Sequence, residues 1–247
     1  MNNDQLNRYS RHILLPQIDY DGQAKILASH VLILGVGGLG SSASLYLASS
    51  GVGTITLCDF DKVEESNLQR QVVHCEASIG DSKVESAARM LTGLNSGNIV
   101  QTFDQVLSEA ELTQLITDAD VVLDCTDNSA SRCLHNRLCL QQLTPLVSAA
   151  AIRFEGQLMV IDPKQAEQPC YQCVYPLSNN QEESCSQSGI LAPVVGIMGI
   201  QQALEAIKII TGIGDNMAGK LISFDGLSSR WNHFNVPKNN NCPVCNH

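Results

Sequence analysis

The chain has 247 residues, enough to bury one generous α/β core with at most a small appendage. Its formal charge is −10, with 25 Asp and Glu against 15 Lys and Arg. That balance argues against a general nucleic-acid or membrane-surface binder, whose usual footprint is a basic face, but leaves room for one local anion pocket. The amino-terminal stretch "MNNDQLNRYSRHILL" is polar and lacks a secretory apolar region. The longest apolar run, "ILAPVVGIMGI", is shorter than the roughly 20 residues that span a bilayer. The expectation is a cytoplasmic protein with no nucleic-acid or membrane partner.

Along the chain, apolar strand-like runs alternate with helical patterns. "HVLILG" predicts a strand, followed by a helix from about Gly38 to Ser50 and a second strand at "TITLCD". Ser82 and Glu85 form an S-x-x-E capping box opening a helix over "DSKVESAARMLTGLN". "NIVQTFDQ" reads as a strand, and Ser108 with Glu111 repeats the box ahead of "SEAELTQLITD". "DVVLDC" is short and continuously apolar, as expected for a parallel strand covered on both faces. A helix near Asn128 leads to two strands within "TPLVSAAAIRFEGQLMVID". From Pro163, "PKQAEQPCYQCVYPLSNNQEESCSQSG" is polar and non-periodic, a long excursion. A helix resumes near Gly196, with Ile197, Ile200, Leu204, Ile207 and Ile210 at spacings of three and four as its apolar stripe. "GKLISFDG" and "SRWNHFNV" read as a closing antiparallel pair. The alternation predicts a Rossmann-like, doubly wound α/β fold, its sheet mostly parallel with a C-terminal antiparallel extension.

The first strand runs into G-x-G-x-x-G at Gly35, Gly37 and Gly40, a loop that brings backbone N–H groups against phosphate at a helix N-terminus. Asp59, ending the second strand, is placed to bond ribose hydroxyls. The motif alone suits NAD as well as ATP. The downstream residues favour ATP: "ESNLQRQ" puts Asn67, Gln69 and Arg70 on a short turn beside the ribose end, and Lys83 opens the next helix. "DCTDN" sets Asp127 and Asn128 at a strand's carboxyl tip. Fixed cations and a carboxylate that holds Mg²⁺ make sense around a triphosphate. A nicotinamide oxidoreductase is the remote alternative, and the six histidines form no evident acid/base motif for it. The bland readings are a solvated surface charge for Lys83 and a helix cap for Asn128.

Five of the ten cysteines, Cys58, Cys75, Cys125, Cys133 and Cys139, sit in apolar or helical surroundings and read as small hydrophobes. Two C-x-x-C pairs, Cys170/Cys173 and Cys242/Cys245, supply four thiolates that suit tetrahedral Zn²⁺. The pairs lie farther apart than in a zinc ribbon, so spacing alone leaves a redox dithiol or a disulfide pair open. Cys185 stands alone in the polar segment "EESCSQSGI", available as a nucleophile or without a role.

"RYSRHILL", "DGQAKILASHVLILGVGGLG", "SNLQRQ", "DCTDN", "EGQLMV", "CYQC", "APVVG" and "CPVC" follow one another as in ThiF and MoeB proteins, bacterial relatives of the ubiquitin-activating enzymes. The resemblance runs from about Gln5 to Cys245. It implies an adenylyltransferase that uses ATP and Mg²⁺ to activate the C-terminal Gly-Gly carboxylate of a ubiquitin-like sulfur carrier protein, releasing pyrophosphate. It assigns Gly38, Asp59, Ser66, Asn67, Leu68, Gln69, Arg70, Lys83, Asp127 and Asn128 to the nucleotide, with Arg70, Lys83 and Asp127 acting in catalysis. It gives Arg11 to the partner's triphosphate across a homodimer interface, Cys185 to a sulfur bond with the carrier, and the four paired cysteines to a structural Zn²⁺ far from the chemistry. The implied organisation is one domain: a helical arm over residues 1–29, a nucleotide-binding core over 30–162, and a zinc, crossover and carrier-binding part over 163–247. "DSKVESA" and "SAAAIRFEGQ" look more like MoeB, which serves MoaD-type carriers in molybdopterin synthesis. "CYQCVYP", "QALEAIKIITGI" and "FDGLSSRWNHF" look more like ThiF, which serves ThiS-type carriers in thiamine thiazole synthesis, and are preferred because they lie in the carrier-facing half. With no rhodanese-like extension after Cys245, a separate sulfur donor such as a cysteine desulfurase is expected.

Overall fold

A computed structural model describes residues 1–165, 167–176, 188–215 and 217–246. The apolar runs become β1 (His30–Leu34), β2 (Thr54–Cys58), β3 (Ile99–Phe103), β4 (Val121–Asp124) and β5 (Leu146–Ile152), joined by β6 (Glu155–Ile161), β7 (Lys220–Asp225) and β8 (Arg230–Asn235). They form an eight-stranded sheet in the order β3-β2-β1-β4-β5-β6-β7-β8. The first five positions are parallel and the last three are added antiparallel, as expected. Leu34 lies opposite both Cys58 and Asp124, and Asp124 opposite Ser148. The carboxyl ends of β1, β2, β4 and the middle of β5 therefore meet at one edge.

The parallel strands are buried on both faces. Val31 and Ile33 point into one core and Leu32 and Leu34 into another, following the period-two alternation of side chains. The first core is closed by α4 (Gly38–Ser50), α5 (Lys83–Leu94) and a 20-residue helix, Ala192–Thr211, here named α9. The second is closed by α6 (Glu109–Asp118) and α7 (Ser129–Gln142). Before the sheet come α1 (Asn3–Arg8), α2 (Ser10–Ile13) and α3 (Asp19–Ala28). This arm is fastened to the end of α4: Asn95 Nδ2 donates to the buried Tyr9 hydroxyl (2.9 Å) and the Ala48 carbonyl (2.8 Å). His12 Nδ1 lies 3.0 Å from Gln23 Oε1, and Gln23 Nε2 donates to Ser50 O at 2.9 Å. A short helix, α8 (Tyr171–Val174), has Cys170 as its N-cap and contains Cys173.

Four expectations change. The Ser108/Glu111 capping box forms, but Ser82 makes no side-chain cap and Glu85 instead accepts from Thr102 Oγ1 at 2.7 Å. Cys75 is exposed rather than a core residue, because it precedes the 3₁₀ turn Glu76–Ser78, whose Ser78 hydroxyl ties back to its backbone. The helix expected near Gly196 starts at Ala192, with Pro193 in its first turn, where a missing N–H costs nothing. Its expected stripe holds only in part: Ile207 and Ile210 pack against the core, but the first three positions turn outward. Val194, Val195, Met198, Gly199, Ala203 and Ala206 are buried, whereas Ile197, Ile200 and Leu204 are more than a third exposed. The face turned to α4 is built from small residues because the two helices approach closely. α9 is long and apolar enough to cross a membrane by length and composition, with half of that window buried inside the protein, as in a core helix.

The close approach generates a prediction. A methyl group on Gly199 would collide with the Leu39 carbonyl oxygen and Ser42 Oγ, whereas one on Gly196 meets nothing within 4 Å. Gly199→Ala should cost about 1–3 kcal/mol of stability by overpacking. Gly196→Ala should be neutral or gain up to about 1 kcal/mol of helix propensity. Urea unfolding of the two variants checks this contrast.

Candidate active site

A cavity of about 710 Å³ opens over the aligned strand ends. One end is formed by the glycine loop, where Gly37 precedes α4 without capping it by a side chain, so the first N–H groups of the helix face the cavity. The loop is tightly folded: a Cβ on Gly40 would overlap the Gly35 carbonyl oxygen, and Gly35 N–H donates to Cys58 O at 2.8 Å. Asp59 braces the same loop. Its Oδ2 accepts from Val36 N–H at 2.7 Å and its Oδ1 from Asp61 N–H at 2.9 Å.

Lys83 is not a surface charge. It is 5% exposed, at the first position of α5, and its Nζ donates to Asp61 Oδ2 at 2.8 Å. The Asp61 side chain is about half exposed, so the ammonium is held in place by a partner that water or an incoming anion can replace. His74 lies behind it, Nδ1 2.9 Å from Ser86 Oγ. Burial holds His74 below the usual imidazole range, against the Val36 backbone contact, and the Lys83 charge adds to the depression. The thiols of Cys58 and Cys125 also line the cavity; burial pushes Cys58 to about 12 and Cys125 higher still, which leaves both as inert hydrophobes.

The "SNLQRQ" segment divides unevenly. Asn67, Arg70 and Gln71 line the cavity, while Ser66 and Gln69 are exposed and, with Leu68, fall outside its lining. Arg70 Nη1 donates to Ser66 O at 3.1 Å, closing the turn. Gln71, buried and facing the glycine loop, escaped sequence reading because nothing in its spacing separates it from Gln69. Asp127 and Asn128 line the middle of the cavity. Asn128 is also the N-cap of α7, its Oδ1 accepting from Ser131 N–H at 2.9 Å. Apolar Val106, Leu107 and Leu112 flank the nucleotide-loop end; no motif announced them. Arg11 is exposed on α2 and outside this lining. Cys185 lies outside the described residues.

The opposite end is lined by β5 from Ser148 to Ile152, with Ala149, Ala150 and Ala151 in succession, and by Gln157, Tyr171 and Tyr175. The two tyrosines come from α8 and its C-cap, the segment that carries Cys170 and Cys173. The four paired cysteines converge, their Sγ atoms all within 4.8 Å of one another. Cys170 Sγ is 3.9 Å from Cys173 Sγ and 3.6 Å from Cys242 Sγ, and Cys173 Sγ is 3.4 Å from Cys245 Sγ. A tetrahedral ion with Zn–S near 2.3 Å sets its ligands about 3.8 Å apart, so the donor set and its spacing fit such an ion. Burial raises the Cys170 thiol, and it raises Cys245 to about 11. At Cys242 the N–H groups of Val244 and Cys245 outweigh burial and lower the thiol. The cluster was expected to stand apart from the chemistry. Instead Tyr171, next to Cys170, lines the cavity and is tied to α7 by Asn136 Oδ1, which accepts its N–H at 3.0 Å.

A glycine loop, a buried lysine and a strand-tip carboxylate at the topological switch of an open α/β sheet define a nucleotide-binding protein. The chain belongs to the ThiF family, whose model matches residues 9–244. It is 47% identical over 245 residues to the sulfur carrier protein ThiS adenylyltransferase of Escherichia coli (strain K12), covering 99% of this chain and 97% of that protein. It is 44% identical over 245 residues to the molybdopterin-synthase adenylyltransferase of the same organism, covering 99% and 98%. Among solved structures, E. coli MccB with ATP superposes with a TM-score of 0.83 at 27% identity, over 99% of this chain and 75% of that one.

Because Asp59 holds the glycine loop through Val36 and its own turn through Asp61, Asp59→Ala should speed hydrogen exchange at the Val36 and Asp61 amides. It should also lower stability by about 1.5–3 kcal/mol, the usual worth of hydrogen bonds to a charged group. Wild-type exchange at Val36 would contradict the bracing.

Proposed function

We propose that this chain is an ATP-dependent adenylyltransferase that activates the C-terminal Gly-Gly carboxylate of a ubiquitin-like sulfur carrier protein. One observation carries the reading: a single cavity joins the glycine loop, Lys83 and Asp127 to three small residues in succession, Ala149–Ala151, beside which an extended glycine tail would run. The nucleotide takes the loop end, its ribose against Asp59 and its phosphates against the N-terminus of α4, Asn67, Arg70 and Lys83. A carboxylate oxygen of the tail attacks the α-phosphorus. The bond from that phosphorus to the bridging oxygen breaks, and pyrophosphate leaves with the electron pair. The attacking carboxylate is already ionised at neutral pH, so no general base is required; positioning and fixed charge supply the acceleration. Asp127 is the residue to hold Mg²⁺, which would neutralise phosphate charge. Lys83→Ala and Asp127→Asn should each lower ATP–pyrophosphate exchange roughly 10²–10³-fold while the fold persists. Near-wild-type exchange from either variant would sink the assignment.

Relatives of both carrier types match at nearly the same identity, so the ThiS type is preferred only on "CYQCVYP", "QALEAIKIITGI" and "FDGLSSRWNHF", in the part expected to face the carrier, residues 163–247. Exchange measured with a ThiS-type and a MoaD-type carrier decides between them. Cys185 as the sulfur-bonding thiol, with a separate sulfur donor, rests on sequence resemblance. Cys185→Ala that forms thiocarboxylate at the wild-type rate would remove it.

Two further assignments belong to this reading. The chain works as a homodimer in which Arg11 serves the partner's triphosphate. Support comes from its place outside its own cavity lining and from exposed Leu14, Leu15, Ile197, Ile200 and Leu204 on the arm and α9. Mixed Arg11→Ala and Lys83→Ala subunits should recover activity as they exchange, since one pocket per mixed dimer is intact; verified mixed dimers that stay inactive rule the role out. Zn²⁺ is held by Cys170, Cys173, Cys242 and Cys245. Cys242→Ser or chelation should release the metal and lower the melting temperature, because metal binding at such a site is folding free energy. A zinc-free preparation of full stability would overturn this.

A further inference from the structure

The turn that presents Asp127 is held from behind by a buried carboxylate–imidazole hydrogen bond that no motif reading requires. Asp124, the last residue of β4, is fully buried. Its Oδ1 accepts from Thr126 N–H at 3.1 Å and from Thr126 Oγ1 at 2.6 Å. Its Oδ2 lies 3.0 Å from Nδ1 of His135, two turns along α7 and itself 6% exposed. An ionised carboxylate only accepts, so Nδ1 carries the proton and donates. Burial would raise the Asp124 carboxyl, but the His135 ring, Arg132 and the hydrogen bonds from His135 and Thr126 outweigh it and hold it below the usual range. The other side of the turn is gripped as well: Arg132 Nη2 donates to Thr126 O at 2.6 Å, and Asn128 caps α7. Asp127 thus sits between two residues whose backbones are fixed, one of them through Asp124.

A fully buried carboxylate is stable only if its charge is met by donors, and one that loses a partner either protonates or rotates toward another. Either outcome would weaken the hold on Thr126, because a neutral or turned carboxyl is a poorer acceptor for its N–H and hydroxyl. A spare apolar side chain at position 135 would satisfy the packing of α7 but not this need. We propose that His135 is a positioning residue for the nucleotide reaction: by fixing the Asp124 carboxylate it holds Thr126, and so sets where Asp127 meets the metal–triphosphate. This rests on the adenylylation reading for the role of Asp127, while the holding of the turn does not.

The test compares three full-length variants. His135→Leu keeps the bulk without the donor, and His135→Asn restores an N–H where Nδ1 stands. Leu138→Ala opens a cavity on the same helix and removes no hydrogen-bond partner of Asp124; Leu138 is 1% exposed. In hydrogen exchange read by mass spectrometry, residues 125–128 of His135→Leu should exchange about tenfold faster, the loss of roughly one hydrogen bond to a charge. His135→Asn and Leu138→Ala should leave those amides near wild type, Leu138→Ala showing only a lower melting temperature. In ATP–pyrophosphate exchange, His135→Leu should need more Mg²⁺ for half-maximal rate and show a lower kcat, with His135→Asn recovering both. Wild-type protection of 125–128 in His135→Leu, or the same loosening in Leu138→Ala, overturns the proposal. So does an unchanged Mg²⁺ requirement in His135→Leu. If the wild-type protein supports no exchange with any carrier, the adenylylation reading fails, and the amide data still decide whether His135 holds the turn.

Discussion

The whole site depends on the register of four parallel strands. Leu34 faces Cys58 and Asp124, and Asp124 faces Ser148, so the residues after β1, β2 and β4 emerge together beside the middle of β5. Glycine loop, Asp59, the Asp127 turn and the alanine strip are contiguous for that reason alone. Both faces of these strands are buried, and a slip of one residue would exchange Val31 and Ile33 with Leu32 and Leu34 between two differently shaped cores. The register is therefore strongly specified, and with it the meeting of groups far apart in sequence.

Onto this frame the chain sets charges where burial makes them expensive and then supplies partners. Lys83 is met by Asp61, and Asp124 by His135 and Thr126. Groups held this way do not need to reorganise when a charged ligand arrives, which is the condition under which fixed charges accelerate a reaction most. The partners differ in accessibility. Asp61 is open to solvent and replaceable, as the phosphate role proposed for Lys83 requires; His135 and Asp124 are enclosed, as the supporting role proposed for them requires.

Sequence made the fold legible because its signals were local and strong: continuous apolar runs, a glycine loop between strand and helix, turn-rich breaks. The Ser108/Glu111 box formed for the same reason. What failed was set by tertiary packing. Periodicity on α9 marked large apolar side chains as the core stripe, yet the helix buries Gly199, Ala203 and Ala206 against α4 and leaves Ile197, Ile200 and Leu204 partly exposed. Ser82 satisfied a pattern whose Glu85 found Thr102 instead. In the site, the glycine loop, Lys83 and Asp127 were readable from order along the chain. Gln71, Val106, Tyr175 and His135 were not, because each reaches the cavity by a long-range contact that leaves no spacing signature. The four cysteines could be paired with a metal, but not with the cavity wall that Tyr171 and Tyr175, on and beside α8, also build.

In the proposed reaction one cavity brings a nucleotide and a protein carboxylate together. The most direct measurement is the intact mass of a ubiquitin-like sulfur carrier after incubation with this protein, ATP and Mg²⁺. The account predicts a carrier that gains one adenylyl group at its terminal carboxylate, and no gain when its last glycine is removed. A carrier of either type left unmodified, or an adenylyl group found on the enzyme in its place, would contradict it.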